Sequence, residues 1–133
     1  MINKEAVKTN FSRFAAAYDD YSAAQKRTGL KLYEYFPSKP IASVLDIGCG
    51  TGGYTSLLRR SFSCADITAV DISPGMIDAA SSRVDGVQFV CADAEITRFD
   101  RRFDLVTSNA CFQWFNDLAG FMRKLGRIVG NEG

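Results

Sequence analysis

Five residues with chemical potential crowd into VLDIGCGTGG (44–53): Asp46, Gly48, Gly50, Gly52 and Gly53. Two further acids, Asp71 and Asp93, close the later apolar runs ADITAVD and VQFVCAD. A glycine-rich turn lets backbone come close to a ligand, and its amides face that ligand where a helix begins. Gly48, Gly50 and Gly53 fit the spacing G-x-G-x-x-G, which alone is a weak nucleotide signal. An acid at the end of the next strand, Asp71, can accept from both hydroxyls of a ribose. A nicotinamide dinucleotide and S-adenosylmethionine are served alike by this set. Three details separate them. Asp46, two residues before Gly48, would repel a diphosphate but tolerates a sulfonium and an ammonium. Cys-Gly-Thr-Gly follows it, in place of a hydrophobic-rich helix start. Asp93 is placed for the amino group of adenine.

The elements that must position these residues follow from the rhythm of the chain. IASVLDI (41–47) is short, apolar and β-branched, as buried parallel strands are. TGGYTSLLRRSF (51–62) reads as a helix, ADITAVDI (65–72) as a second strand and VQFVCA (87–92) as a third. Between the last two, Ser73 is a good helix cap and Pro74 suits the first helical position. FDLVTSN (103–109) is a fourth strand. Residues 116–129 form a last helix with Leu118, Phe121, Met122, Leu125 and Ile128 on its apolar side. Before all of these, residues 3–36 read as helical, with Phe11, Phe14, Ala15 and Tyr18 on one face, up to Pro37 and Pro40. Alternating strands and helices imply an α/β fold, a doubly wound parallel sheet with right-handed crossovers.

The 133 residues suffice for one domain, and the net charge of +1 gives no broad attraction to nucleic acid or anionic lipid. No apolar run approaches a membrane span, and MINKEAVKTNF lacks the apolar core of a signal peptide. A cytoplasmic protein is expected. With no histidine and four scattered cysteines, neither a zinc site nor disulfides are expected. The absence of histidine also removes the commonest general base, leaving Asp, Glu, Tyr or Lys for any proton transfer.

VLDIGCGTG, VDIS, CADAE and FDLVTSNA together resemble the class I S-adenosylmethionine-dependent methyltransferases over nearly the whole chain. FSRFAAAYDDYSAAQ (11–25) and SNACFQW (108–114) are similar to the malonyl-acyl-carrier-protein O-methyltransferases of biotin synthesis. The resemblance implies a Rossmann-like core over 41–133, preceded by a helical lid over 1–40. That fold has seven strands against four readable here, so the chain is expected to be truncated after Gly133. A cofactor half-site with weak or no turnover and an exposed edge on the fourth strand are then expected.

The resemblance also distributes roles. S-adenosyl-L-methionine is the implied cofactor. Gly48, Gly50 and Gly52 would cradle its methionine half, Asp46 would face the aminoacyl end, and Asp71 would hold the ribose. Ile72 and Met76 would sandwich the adenine, with core packing as the plainer alternative. Asp93 would accept from the adenine amino group beside the Ala94 amide, and Asn109 would touch the cofactor through its backbone. Gln113 and Trp114 would shape the substrate mouth or simply pack their loop. Tyr18 would close the lid or only complete its apolar stripe. Two basic clusters, Arg98, Arg101 and Arg102 and then Arg123, Lys124 and Arg127, suit an acidic acyl carrier protein bearing malonyl, although such charges are more often a solvated face. Other readings are methylation of aconitate or a quinone precursor, a cofactor-binding module without catalysis, and an NAD-dependent oxidoreductase.

Overall fold

The computed structural model describes residues 3–6, 8, 40–108 and 116–129. Most of the expected amino-terminal helical region therefore lies outside the described residues, although residues 4–6 and 8 are helical. The described elements run β1 (Ser43–Ile47), α1 (Gly53–Ser61), β2 (Asp66–Asp71), α2 (Pro74–Arg83), β3 (Val87–Cys91), β4 (Leu105–Ser108) and α3 (Leu118–Ile128). Each matches an expected element, with ends trimmed by one to three residues. No helix among the described residues is long and apolar enough to cross a membrane.

The four strands form one parallel sheet in the order β3-β2-β1-β4. The chain moves outward from β1 to β3, then returns to lay β4 on the far side of β1. The order thus reverses beside β1, and such a switch opens a crevice at the carboxyl ends of the strands. Register brings those ends level: Ile47 pairs with Val70 and Ser108, and Asp71 with Cys91.

β1 is buried along its whole length, because helices cover both faces of the sheet. Its alternate residues divide between two cores. Leu45 and Ile47 join Val70, Phe103, Phe121 and Ile128 on the α3 side. Val44 joins Tyr54, Leu58 and Ile67 on the α1 side. With a side-chain period of two, Asp46 shares the α1 side with Val44.

Helix ends follow local chemistry. Ser73 caps α2 by accepting from the Met76 amide at 3.2 Å, with Pro74 in the first turn. Asp117 caps α3 by accepting from the Gly120 amide at 2.9 Å. The apolar side expected for α3 is wider than the side that packs. Phe121 and Ile128 are buried and Leu125 lies against them, but Leu118 and Met122 are 44% and 52% exposed. The sheet reaches only the 121–125–128 strip.

After α3 the backbone folds onto β4. Val129 pairs in parallel with Phe103, and the Phe103 amide donates to the Ile128 carbonyl at 2.6 Å. The outer edge expected to lie bare at β4 is thus already approached by Val129 at its start.

The glycine pattern reads differently in three dimensions. Gly53, the third glycine of G-x-G-x-x-G, has open space where a Cβ would stand. Gly52 does not: its φ is +92°, and a Cβ would lie 3.2 Å from the backbone Cα of Ala80 in α2. Gly52 is therefore the residue that lets α1 start against α2. Gly52→Ala is expected to cost about 1–3 kcal/mol, whereas Gly53→Ala is expected to be neutral or stabilising by up to about 1 kcal/mol. Urea unfolding of the two variants checks both.

Candidate functional site

The loop after β1 hangs from the end of β2. The Gly48 and Cys49 amides both donate to the Val70 carbonyl, at 2.7 and 3.1 Å. Gly48, Gly50 and Gly52 all have positive φ, at 74°, 56° and 92°. One side chain locks this arrangement. Asp71 accepts from the Gly50 amide through Oδ2 and from the Ser73 amide through Oδ1, both at 2.9 Å. It so ties the glycine loop to the start of α2. Burial pushes the Asp71 carboxyl up, while the amides of Ser73, Gly50 and Ile72 oppose that rise.

Asp46 lies beneath the loop and is fully buried. Its Oδ2 accepts from the Thr55 hydroxyl at 2.6 Å, and its Oδ1 has no hydrogen-bond partner among the described residues. It does not cap α1, which has no side-chain cap. Burial raises the carboxyl to about 7, against the pull of Thr55 and with a further push from the charge of Asp71. A buried, half-satisfied carboxylate is costly to keep ionised unless a cation comes to it. Next to it, Tyr54 shares a 2.6 Å hydrogen bond with Thr107 of β4, and burial pushes its hydroxyl up to about 12, so it stays neutral.

At the end of β3, Asp93 and Ile72 line a cavity of about 420 Å³ with Cys91 and Ala92 from the sheet side and Asn3 and Lys4 from the amino terminus. This volume is in the range of small-molecule sites. The Lys4 ammonium donates to both oxygens of Asp93, at 3.1 and 2.9 Å, and to Glu95.

The structure thus brings Asp46, the three glycines, Asp71, Ile72 and Asp93 to one end of the sheet. Met76 is 2% exposed, which fits its packing alternative, while Ile72 lines the cavity. Ala94 is buried, and its carbonyl accepts from Lys124 at 2.9 Å. Tyr18, Asn109, Gln113 and Trp114 lie outside the described residues. Thr55, Lys4 and Glu95 were not legible as site residues. Thr55 had a faint signal, since it falls three before Leu58 on the buried face of α1. Lys4 and Glu95 had none.

The basic clusters do not gather at this end. Arg101 pairs with Asp66 at 2.6 Å and lies over the Phe103 ring, at the start of β2 and before β4. β4, Leu105–Ser108, then carries the chain about 10 Å further away from there. Lys124 is turned inward onto the carbonyls of Ala94 and Thr97, leaving Arg123 and Arg127 exposed.

The family described as methyltransferase domain matches residues 45–133. The chain is 43% identical to a malonyl-[acyl-carrier protein] O-methyltransferase of Acetivibrio thermocellus, over all of this chain and 48% of that protein (100% and 48%). It is 44% identical to the protein of the same name from Priestia megaterium, over 94% of this chain and 47% of that one. The chain therefore spans about half the length of the curated relatives it matches. Among solved structures, the plantazolicin methyltransferase BpumL in complex with a triazolic desmethylPZN analog and SAH aligns with a TM-score of 0.73 at 23% identity. That alignment covers 90% of this chain and 48% of the other, and it shows a shared fold.

The burial of Asp46 has a consequence for stability. A carboxyl raised from 3.8 to about 7 holds a proton in the folded chain that the unfolded chain has already lost. Stability from this group is complete below the lower value, declines as pH rises between the two, and is flat above. The raised Asp71 adds in the same direction. Chemical unfolding is expected to show the unliganded protein losing stability from pH 5 to pH 8, with a clearly shallower decline in Asp46→Asn.

Proposed function

The chain belongs to the methyltransferase-domain family, and from that premise we propose that it binds S-adenosyl-L-methionine for transfer of a methyl group to the free carboxyl of malonyl-acyl-carrier protein. The observation that carries the cofactor assignment is the left-handed glycine loop set over Asp46, whose Oδ1 is buried without a partner among the described residues. A ligand with an ammonium or sulfonium would satisfy that oxygen. A diphosphate would face two carboxylates, Asp46 and Asp71, at the same loop. The residues present therefore fit an adenosyl sulfonium better than a nicotinamide dinucleotide, and the lack of any demand for glycine at position 53 agrees.

When bound, S-adenosylmethionine supplies an electrophilic methyl group on a positively charged sulfur. The chain's own part is to bind and orient. Gly48, Gly50 and Gly52 keep side chains out of the loop, so that backbone faces the aminoacyl end. Asp46 offers charge from below. Asp71 has acceptor capacity for a ribose hydroxyl beyond the amides it holds, since each carboxylate oxygen carries two lone pairs. Asp93 stands at the cavity that would take the base. An acceptor carboxylate is ionised at neutral pH, since free carboxyls titrate near ~4. No general base is then needed, consistent with a chain that has no histidine. Positioning and exclusion of water would supply the rate.

The malonyl-carrier acceptor is supported by the names of the similar relatives, whose full length is about twice this chain. The first basic cluster adds nothing to it, since Arg101 pairs with Asp66 at the start of β2.

Calorimetric titration is expected to show tight binding of S-adenosylhomocysteine, with proton release below pH 7 as Asp46 ionises, and no binding of NAD. Asp71→Ala should weaken S-adenosylhomocysteine at least tenfold; tight NAD binding instead would overturn the assignment. For the acceptor, tritium transfer from labelled S-adenosylmethionine is expected on malonyl-acyl-carrier protein. Label on aconitate alone would overturn the acceptor while leaving the cofactor assignment standing.

A further inference from the structure

Lys4 belongs to no motif of the glycine loop, yet it reaches across 89 and 91 residues of sequence to two carboxylates at the end of β3. Its ammonium donates to Asp93 Oδ1 and Oδ2 and to Glu95 Oε1, and the side chains of the three are only 16%, 16% and 9% exposed. Glu95 is itself a junction. Its amide donates to Asp93 Oδ1 at 3.0 Å, and its carboxylate accepts from the amides of Asn116, at 2.9 Å, and Asp117, where α3 begins. One cation therefore joins the amino terminus, the end of β3 and, through Glu95, the start of α3. The charges are held in place. Burial works to lower the Lys4 ammonium, but its hydrogen bonds to Asp93 and Glu95 more than offset this, so it is raised. Burial works to raise Glu95, and Lys4 with the two amides brings it below its ordinary range.

The cavity is lined by Asn3, Lys4 and Lys8 from the amino terminus and by Ile72, Ala92 and Asp93 from the ends of β2 and β3. Lys4 thus both lines the cavity and holds the Asp93 carboxylate that lines it too. Oδ1 of Asp93 already accepts twice, from Lys4 and from the Glu95 amide; Oδ2 accepts from Lys4 alone among the described residues and keeps a lone pair. A carboxylate pinned in this way is an acceptor and not a donor, which selects a ring carrying an exocyclic amino group over one carrying a carbonyl at that position.

We propose that Lys4 is a positioning residue of the base site: shared between Asp93 and Glu95, it closes the amino-terminal residues over the cavity and fixes Asp93 as an acceptor for an amino-bearing purine. This rests on the S-adenosylmethionine reading above. Without Lys4, Asp93 and Glu95 repel each other, and the Asp93 carboxylate is no longer held in one orientation as an acceptor.

The test compares S-adenosylhomocysteine with S-inosylhomocysteine, which carries a carbonyl where adenine has its amino group, by calorimetry on wild type, Lys4→Met, Lys4→Arg and Asp71→Ala. Thermal unfolding of each variant establishes that it is folded. Wild type is expected to prefer the adenosyl ligand at least tenfold. Lys4→Met should weaken that ligand about tenfold with little change for the inosyl one, so that the preference collapses, and Lys4→Arg should restore most of it. An unchanged preference in Lys4→Met, including an equal loss for both ligands, overturns the proposal. If Asp71→Ala loses binding while Lys4→Met matches wild type, only the role of Lys4 falls. If wild type binds neither ligand, the cofactor reading falls and takes this one with it.

Discussion

The rest of the site is organised around a carboxylate with no good reason to be where it is. Asp46 sits in the interior strand β1, fully buried, with one oxygen held by Thr55 and the other unpaired among the described residues. In an unliganded protein this is a cost, met by letting the group take up a proton near neutrality. All five residues of β1 are buried, so the carboxyl has no exposed face toward solvent. Such a feature makes physical sense if the folded chain is built to receive positive charge at the end of β1. The glycine loop above it supplies the approach, since three residues in the left-handed region keep Cβ atoms away from the path.

The sheet converts this local feature into a pocket. Parallel register sets the ends of β1, β2 and β3 level, so that acids 25 and 47 residues after Asp46 arrive at the same end of the domain. Asp71 then acts twice, as a strap between two loops and as an acceptor with lone pairs to spare. The return of β4 to the far side of β1 opens the crevice there. The opposite end of the sheet is finished with different chemistry: Arg101 on Asp66 and Phe103 against the last turn of α3. Function and closure of the fold are thereby separated along the strand direction.

The amino terminus links to this pocket through charge and not through apolar packing alone. Lys4, Asp93 and Glu95 form a compact group in which one cation offsets two anions, and Glu95 also accepts from the amides of Asn116 and Asp117 just before α3. Lys124 works from the other side, on the carbonyls of Ala94 and Thr97 and near the rings of Phe99 and Phe121. The loop between β3 and β4 is so held from both ends of the chain.

The sequence by itself determined the elements and the acids of the site. Apolar β-branched runs, Ser73 with Pro74, and the glycine-rich turn act over a few residues, and local sterics and capping decide them wherever the segment lies. It misjudged what depends on neighbours distant in the chain. The spacing G-x-G-x-x-G points to Gly53 and the family resemblance to Gly52, and only the packing of α1 on α2 supplies the physical reason for glycine at 52. Leu118 and Met122 follow the helical period, but the width of the sheet face, which no helix encodes alone, leaves them exposed. Lys4 and Glu95 look like ordinary surface charges until the fold brings residues 4, 93 and 95 together. Long-range ion pairs of this kind carry no local periodicity, so only tertiary structure decides them.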